Sequence, residues 1–221
     1  MGFDGVWREE QEKKNKDYKH IPFEKWLLWA QYTVQSLRAG RHRFSRGRVF
    51  ERVGALFNDF YQHALPFSLT EAQKRVLKEI RKDMGSGHQM NRLLQGDVGS
   101  GKTMVALLSM LIAADNGYQS VLMAPTEILA QQHYQTIKEL VKDLPISIAI
   151  LTGSTPAKPR RQILDSCLNE EIQILIGTHA IIEDKVQFGK LGFAVVDEQH
   201  KFGVAQRAKL WKKILEDETN T

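Results

Sequence analysis

After Pro66, the chain alternates short apolar runs with longer stretches in which apolar residues recur every three to four positions. The short runs contain many β-branched residues and do not alternate with polar ones, which is typical of strands buried on both faces of a parallel sheet. The periodic stretches predict amphipathic helices between the strands. The predicted strands span 91–95, 120–124, 146–151, 172–177 and 193–197, and the predicted helices span 71–84, 102–115, 127–142, 159–168 and 204–216.

Elements in this order predict a doubly wound α/β domain with a mainly parallel sheet. Crossovers between parallel strands are right-handed, so the connecting helices cover both faces of the sheet. Ligands bind such domains at the carboxyl ends of the strands. Functional residues are therefore expected in the loops that follow the strands.

The segment before Pro66 has a different pattern. Apolar residues follow helical spacing over 22–37 and again over 48–65, which predicts two helices. Residues 1–19 are polar, nearly balanced in charge and without periodicity, which favours a disordered tail. The predicted organisation is a tail over 1–19, a helical extension or linker over 20–65 and an α/β domain over 66–221.

The composition excludes several classes of protein. With 42% hydrophobic and 26% charged residues in 221, the chain is typical of a soluble globular protein. Its longest nearly apolar run, 104–114, is shorter than the roughly 20 residues needed to cross a bilayer, and its first residues lack the apolar core of a signal peptide. A cytoplasmic location without a membrane partner is expected. The single cysteine, Cys167, is expected to be buried and inert.

Positive charge is concentrated in one block. The formal net charge is +5, and six arginines stand between Arg38 and Arg52 against one acid, Glu51. Two interpretations remain open. The block contacts the phosphates of a nucleic acid, or it is a solvated connector between the two predicted helices.

The sequence "GDVGSGKT" follows a predicted strand and opens a predicted helix. It matches the phosphate-binding pattern G-x-x-x-x-G-K-[ST], because glycines allow backbone N–H groups to surround phosphates and the helix N-terminus attracts negative charge. Lys102 is placed to reach the β- and γ-phosphate oxygens, and the Thr103 hydroxyl to bind Mg²⁺. The alternative is an ordinary glycine-rich turn. The predicted nucleotide-binding residues of this loop are Gly96, Asp97, Val98, Gly99, Ser100, Gly101, Lys102 and Thr103.

Two consecutive acids, Asp197 and Glu198, end the last predicted strand. Burying a carboxylate at the end of a strand costs free energy unless a cation lies beside it. A Mg²⁺ ion bound near Thr103 would be such a cation. Asp197 is then the predicted metal ligand, opposite the glycine-rich loop, and Glu198 is placed to orient or deprotonate an attacking water. The alternative is that Asp197 is only a helix N-cap.

Five motifs, "GDVGSGKT", "APTEILAQQHY", "LTGS", "GTHA" and "DEQHKFGV", occur in this order. The set resembles the first motor domain of superfamily 2 helicases, and most closely the RecG family, bacterial ATP-dependent helicases that remodel branched DNA. The resemblance covers roughly residues 66–207. Translocases of the transcription-repair coupling type share much of this pattern, but Gln199 and His200 after the acids favour the RecG family.

The resemblance implies a RecA-like P-loop domain with roles for further residues. It nominates Gln73 and Phe67 for adenine contact, although Thr70 and Gln73 also form a helix capping box, and both interpretations stay open. It implies that Gln199 and His200 couple the ATP site to the rest of the motor. It also implies a DNA track in three loops, with ordinary polar turns as the alternative: Pro125 and Thr126; Thr152, Gly153 and Ser154; Gly177, Thr178 and His179.

The implied function is ATP hydrolysis, with Lys102, Asp197 and Glu198 as catalytic residues and ATP and Mg²⁺ as cofactors, coupled to movement on branched or forked DNA. Such helicases hydrolyse ATP between two motor domains, and the second supplies an arginine finger. Neither that domain nor the wedge domain of the RecG family is found in this sequence, so the chain is expected to bind nucleotide but hydrolyse it poorly. A non-catalytic nucleotide-gated binding module and an RNA helicase domain are the alternatives.

Overall fold

The computed structural model of the chain describes residues 24–30, 49–87, 90–97 and 99–216. The strands are β1 (Glu24–Ala30), β2 (Met90–Gly96), β3 (Gln119–Met123), β4 (Ile148–Leu151), β5 (Ile174–Gly177) and β6 (Leu191–Asp197). The helices are α1 (Ala55–Asp59, continued by a π-helical turn over Phe60–Ala64), α2 (Glu71–Met84), α3 (Lys102–Asp115), α4 (Glu127–Leu140), α5 (Ala157–Leu168) and α6 (Val204–Glu216). Short 3₁₀ turns occupy His179–Ile182 and Gln199–Lys201.

The described strands form one sheet in the order β2-β1-β6-β3-β5-β4. Strands β6, β3, β5 and β4 are parallel neighbours, and β1 runs antiparallel to β2 on one side and to β6 on the other. Strand β2 therefore points in the same direction as the four parallel strands. The predicted mainly parallel α/β sheet is confirmed, and each element predicted after residue 66 lies within two residues of its expected bounds.

Two apolar cores lie on opposite faces of the sheet. In β6, Phe193 and Val195 join the core that contains α2 and α3, whereas Ala194 and Val196 join the core that contains Leu210 of α6. Successive residues of a strand point to opposite faces, so a strand without polar alternation supplies both cores. Helices cover both faces, as the doubly wound arrangement requires.

The predicted helix over 22–37 is wrong for residues 24–30, which form β1. Seven residues of β1 pair with β2, and five pair with β6. The run "EKWLLWA" contains two tryptophans and two leucines, which suit a strand as well as a helix. Hydrogen bonds along both strand edges decide the outcome, and local periodicity contains no information about them. The 1–19 tail and the arginines from Arg38 to Arg48 lie outside the described residues, so the predicted domain division stays a prediction.

Residues 49–65 pack directly on the α/β domain. Phe50 and Phe60 are buried in the core that contains α2 and α3. The Phe50 ring meets the Tyr118 ring edge-on, with centroids 5.0 Å apart. The second predicted helix, over 48–65, is present but begins only at Ala55.

Asp115, the last residue of α3, anchors the start of α1. Its carboxylate accepts the backbone N–H groups of Gly54 at 2.9 Å, Leu56 at 3.0 Å and Phe57 at 3.1 Å. The first N–H groups of a helix lack partners within the helix, so this carboxylate from a distant helix satisfies them and meets the positive end of the helix dipole. The contact joins the extension to the α/β domain.

Replacing Asp115 with alanine should lower the free energy of unfolding by about 2 kcal/mol, because three backbone donors lose their acceptor. Urea denaturation followed by circular dichroism measures the change. Asp165→Ala, at an exposed position on α5, is the matched control and should cost less than about 0.5 kcal/mol. Equal effects of the two substitutions would contradict the anchoring role.

Cys167 is fully buried, as expected. Burial raises the pKa of its thiol to about 12. The thiolate is the reactive form of cysteine, so this side chain stays protonated and unreactive at neutral pH.

The most apolar helix, α3, is a core helix of 14 residues, 11 of them buried. Within the described ranges, no helix is both long enough and apolar enough to cross a membrane.

Candidate nucleotide and nucleic-acid site

The glycine-rich loop joins β2 to α3 at the carboxyl edge of the sheet. Gly99 and Gly101 both have a φ of +78°, a left-handed conformation that L side chains rarely adopt. A Cβ on Gly96 would lie 2.7 Å from Ser100 Oγ, so the loop also closes too tightly for a side chain there. The backbone path of the loop therefore requires glycine at Gly99 and Gly101, and at Gly96 a side chain would displace that of Ser100. Val98 lies outside the described residues.

Lys102, the first residue of α3, points back into this loop. Its side chain is buried, and the ammonium group donates to the carbonyl oxygens of Gly96 at 2.9 Å and Asp97 at 2.7 Å. A buried cation beside glycine amides at a helix N-terminus is the combination that binds phosphate. The structure thus brings the predicted lysine and glycines together.

A cavity of about 210 Å³ lies beside the loop, between α2 and the end of β2. Gln73 lines it together with Gly96, Asp97, Ser100 and Lys102. This volume is below the roughly 300–1,000 Å³ that is usual for small-molecule sites, so the cavity suits one part of a nucleotide rather than all of it.

Gln73 fulfils the capping box and also contacts the loop. Thr70 N–H donates to Gln73 Oε1 at 2.8 Å, and Gln73 N–H donates to Thr70 Oγ1 at 3.2 Å. Gln73 Nε2 donates to the Ser100 carbonyl at 2.8 Å. This tether between α2 and the loop was not predicted from the sequence. Phe67 is 48% exposed, and adenine contact by Gln73 and Phe67 stays a prediction.

The predicted acids lie at the end of β6. Asp197 is 4% exposed, and its Oδ2 lies 2.9 Å from His133 Nε2 of α4. Its Oδ1 is buried and has no hydrogen-bond partner among the described residues. The alternative role of Asp197 as a helix N-cap is wrong, because the following 3₁₀ turn has Glu198 in that position and no side-chain cap.

Glu198 adopts a left-handed conformation, with φ 49° and ψ 50°. Non-glycine residues hold such angles only where the surrounding structure imposes them, and they are enriched at active sites. The carboxylate lies 3.2 Å from His200 Nδ1. His200 is exposed, and the carbonyl of Gln199 accepts from Arg207.

The loop and the acids lie on one edge of the sheet, at the ends of two strands that are not neighbours. Both β2 and β6 end there, with β1 between them. Neighbouring strands are about 4.8 Å apart, so the ends of β2 and β6 are separated by roughly 10 Å. The acids were predicted opposite the loop, and the structure places them on the same edge, one strand away.

The three predicted DNA loops follow β3, β4 and β5 and are linked to one another. Glu127 accepts the Ser154 N–H at 2.9 Å and the Ser154 hydroxyl at 2.7 Å. These hydrogen bonds lower the pKa of the Glu127 carboxyl. Arg160 donates to the Thr152 carbonyl at 3.1 Å and to Glu183 at 2.8 Å. These contacts hold the loops as one surface.

Exposure divides the predicted DNA-contacting residues. The exposed ones are Thr126, Gly153, Ser154 and His179, and Pro125 is half-buried. Thr152, Gly177 and Thr178 are buried, so the two threonine side chains do not face solvent in this structure. Thr126 uses its hydroxyl to cap α4 through Leu129 N–H at 3.2 Å.

The model of the DEAD/DEAH box helicase family matches residues 70–220, which is more than half of the chain. The chain belongs to the DEAD/DEAH box helicase family. It is 45% identical over 199 residues to the ATP-dependent DNA helicase RecG of Streptococcus pneumoniae, a match that covers 88% of this chain and 28% of the relative. It is 45% identical over 195 residues to RecG of Bacillus subtilis, again covering 88% of this chain and 28% of the relative.

A solved structure, RecG bound to a three-way DNA junction, resembles the chain with a TM-score of 0.59 at 47% identity. The match covers 62% of this chain and 19% of that one. The fold is therefore RecA-like, and the resemblance to RecG read from the motifs is confirmed. The chain spans about 28% of the length of the first two relatives.

Sequence reasoning missed four contacts that position the site, and with them three residues. The residues are Glu127 and Arg160, which link the loops, and His133, the partner of Asp197; the fourth contact is the tether from Gln73, a residue nominated for other roles. His133 and Asp197 are 64 positions apart, so no local spacing connects them. The sequence indicated these contacts only indirectly, because Gln73, Glu127 and Arg160 lie within a few residues of a predicted helix start.

Proposed function

We propose that the chain is the ATP-binding first motor domain of a RecG-like DNA helicase. The observation that carries the proposal is that one edge of the sheet holds two buried charged residues: Lys102 in a glycine loop, and Asp197. The whole enzyme would couple ATP hydrolysis to translocation on and remodelling of branched DNA, in repair, recombination and replication-fork rescue. It would act in the bacterial cytoplasm, since the named relatives are bacterial DNA helicases.

In this proposal, the glycine loop binds the phosphates of ATP through backbone N–H groups and Lys102. Gln73 reaches the base from the neighbouring cavity while its tether to Ser100 holds the loop. Phe67 lies four residues before the start of α2 and is exposed enough to stack on a ring. Glu198, held at a strained backbone position beside Asp197, orients or deprotonates the attacking water.

Magnesium is the proposed cation, and the residues present fit it. Asp197 offers a buried carboxylate oxygen without a hydrogen-bond partner, and the Thr103 hydroxyl lies at the start of α3. The described residues contain no group of three or more histidine, cysteine, aspartate or glutamate side chains that could hold a metal. Mg²⁺ is typically bound by one or two protein groups, phosphates and water, which agrees with this set. When bound, the cation neutralises charge on the phosphates.

DNA is the proposed macromolecular partner. The exposed residues Thr126, Gly153, Ser154 and His179 lie on loops that are linked into one surface. Backbone amides and hydroxyls at helix starts are the groups that contact nucleic-acid phosphates. The RecG structure on a three-way junction supports branched DNA as the substrate. Buried Thr152, Gly177 and Thr178 would contribute through their backbone or by shaping the loops.

The proposed motor also needs a second RecA-like domain and a wedge domain. Arginine fingers raise phosphoryl-transfer rates by roughly 10³ to 10⁵, and in this proposal the second domain supplies one. Gln199 and His200, beside the acids, would transmit the state of the ATP site to that domain. The chain alone is thus expected to bind nucleotide and hydrolyse it slowly.

The test is the DNA-stimulated ATPase rate of this chain, alone and after addition of a RecG second motor domain in trans. The expected result is a very low rate alone and a clear increase with both the second domain and forked DNA present. Hydrolysis at tens of turnovers per second by the chain alone would contradict the proposal. Adding the second domain to a Lys102→Ala chain is the control for contaminating ATPases.

A further inference from the structure

Asp197 is held from one side by a residue of a different helix. His133 Nε2 lies 2.9 Å from Asp197 Oδ2, and the two side chains are 13% and 6% exposed. A carboxylate that serves as a metal ligand accepts hydrogen bonds, so in the proposed site the Nε2–H group of His133 is the donor. A hydrogen bond to a charged acceptor in a water-poor site is among the stronger ones in proteins.

The two oxygens of this carboxylate therefore differ. Oδ2 is hydrogen-bonded to His133, whereas Oδ1 is buried without a hydrogen-bond partner in the described part of the chain. A buried oxygen without a partner costs free energy, and such groups in native structures need an explanation. A ligand that meets Oδ1 would provide one, and the hydrogen bond at Oδ2 fixes which oxygen is presented to it.

Helix α4 gives His133 a fixed position. Ala130 and Ile137, three residues before and four residues after it, are both fully buried. Positions at these spacings lie on one face of a helix, so His133 belongs to the face packed on the sheet. The rest of α4 thus holds the imidazole against the end of β6.

The same helix begins at a proposed DNA contact. Thr126 caps α4, and His133 lies seven residues further along, a distance of about 10 Å at 1.5 Å per residue. A second cavity, of about 470 Å³, lies between the start of α4 and the acids. Its lining includes Pro125, Thr126 and Leu129 on one side and Asp197 and Glu198 on the other. One rigid helix therefore joins the proposed DNA loop to the acidic residues.

We propose that His133 is a positioning residue that orients Asp197 toward the metal-bound nucleotide and ties this carboxylate to the DNA-facing start of α4. The inference rests on the proposed nucleotide function. It gives a role to His133, a residue outside the motif that contains the two acids. Because α4 carries both the DNA loop and His133, a ligand that moves the start of the helix changes the position of Asp197. DNA binding and metal-nucleotide binding are then thermodynamically linked.

The test measures the affinity of the 221-residue chain for fluorescent ADP with Mg²⁺ and with EDTA. The ratio of the two affinities reports the contribution of the metal. In His133→Leu this ratio should fall roughly 10-fold to 100-fold, the usual effect of losing a residue that orients a metal ligand, while affinity in EDTA is unchanged. His133→Gln, which keeps an N–H donor at similar reach, should restore most of the ratio.

His133→Asn is the second variant, because its amide is too short to reach Asp197 but keeps a polar side chain, and it should behave like His133→Leu. His63→Ala, at an exposed position, is the matched control. Melting temperatures in EDTA verify that each variant is folded. A wild-type ratio in either His133→Leu or His133→Asn overturns the inference. If Mg²⁺ does not change the affinity of the wild-type chain, the proposed function fails and the inference fails with it.

A second arm repeats the Mg²⁺ titration with a forked DNA oligonucleotide. DNA should shift the Mg²⁺-ADP affinity of the wild-type and His133→Gln chains, and the shift should disappear in His133→Leu. An equal shift in His133→Leu overturns the proposed link through α4, as does the absence of any shift in the wild-type chain.

Discussion

Replacing Lys102 with alanine reduces the affinity of the chain for ATP roughly 100-fold and leaves the fold intact. The ammonium group is the only cation among the residues that line the cavity beside the glycine loop. A hydrogen bond from a charged donor contributes about 1.5–3 kcal/mol, and each 1.4 kcal/mol is about a tenfold change in affinity. The fold is expected to survive because the Lys102 ammonium group donates to carbonyl oxygens of the loop, at the edge of the sheet.

Titration with a fluorescent ATP analogue measures this loss, and circular dichroism verifies the fold. Lys142→Ala is the matched control, since this exposed lysine follows α4 and forms a surface ion pair with Glu139. Its ATP affinity should equal that of the wild-type chain. An unchanged titration for Lys102→Ala would mean that the glycine-rich loop is an ordinary turn.

Replacing Gly177 with alanine should lower the free energy of unfolding by about 3 kcal/mol or more. A Cβ at this position would overlap the backbone carbonyl oxygen of Leu151 in the neighbouring strand β4. Paired backbone cannot shift as a flexible side chain can, so the parallel pairing of β4 and β5 must distort at their carboxyl ends.

Urea denaturation measures this effect, with Gly203→Ala as the matched control. Among the described residues, the atom nearest to a Cβ on Gly203 would be Gln206 Oε1, at 3.9 Å, so that substitution should cost less than about 1 kcal/mol. Equal stability of Gly177→Ala and the wild-type chain would contradict the close approach of the two strands. The glycine of the "GTHA" motif is thus explained by strand packing, whether or not the loop binds DNA.

The elements after residue 66 were predictable because each one is encoded by its own residues. A buried parallel strand is a short β-branched run, and an amphipathic helix has apolar residues every three to four positions. The same holds for the glycine loop, where a left-handed φ at Gly99 and Gly101 requires the residue type that the motif contains. Its position between a strand and a helix followed from the same pattern.

Strand β1 shows where this reasoning fails. The apolar spacing over 22–37 is compatible with a helix, yet residues 24–30 lie between β2 and β6. The hydrogen bonds that decide this come from β2, whose paired residues are 60 to 72 positions away, and from β6, whose paired residues are 163 to 171 positions away. The same reason explains why the anchoring of α1 by Asp115 could not be anticipated, since its three acceptor contacts join residues 58 to 61 positions apart.

The sequence by itself determined the α/β fold, the glycine loop with Lys102, and the two acids that end β6, because each depends on residue types at fixed local spacing. Only the tertiary structure decided that β1 separates the loop from the acids, that Gln73 tethers the loop, and that His133 holds Asp197. These contacts join residues that are far apart in the chain and meet only when the strands pair. Their energies depend on burial and on the distance between atoms, which no local pattern records.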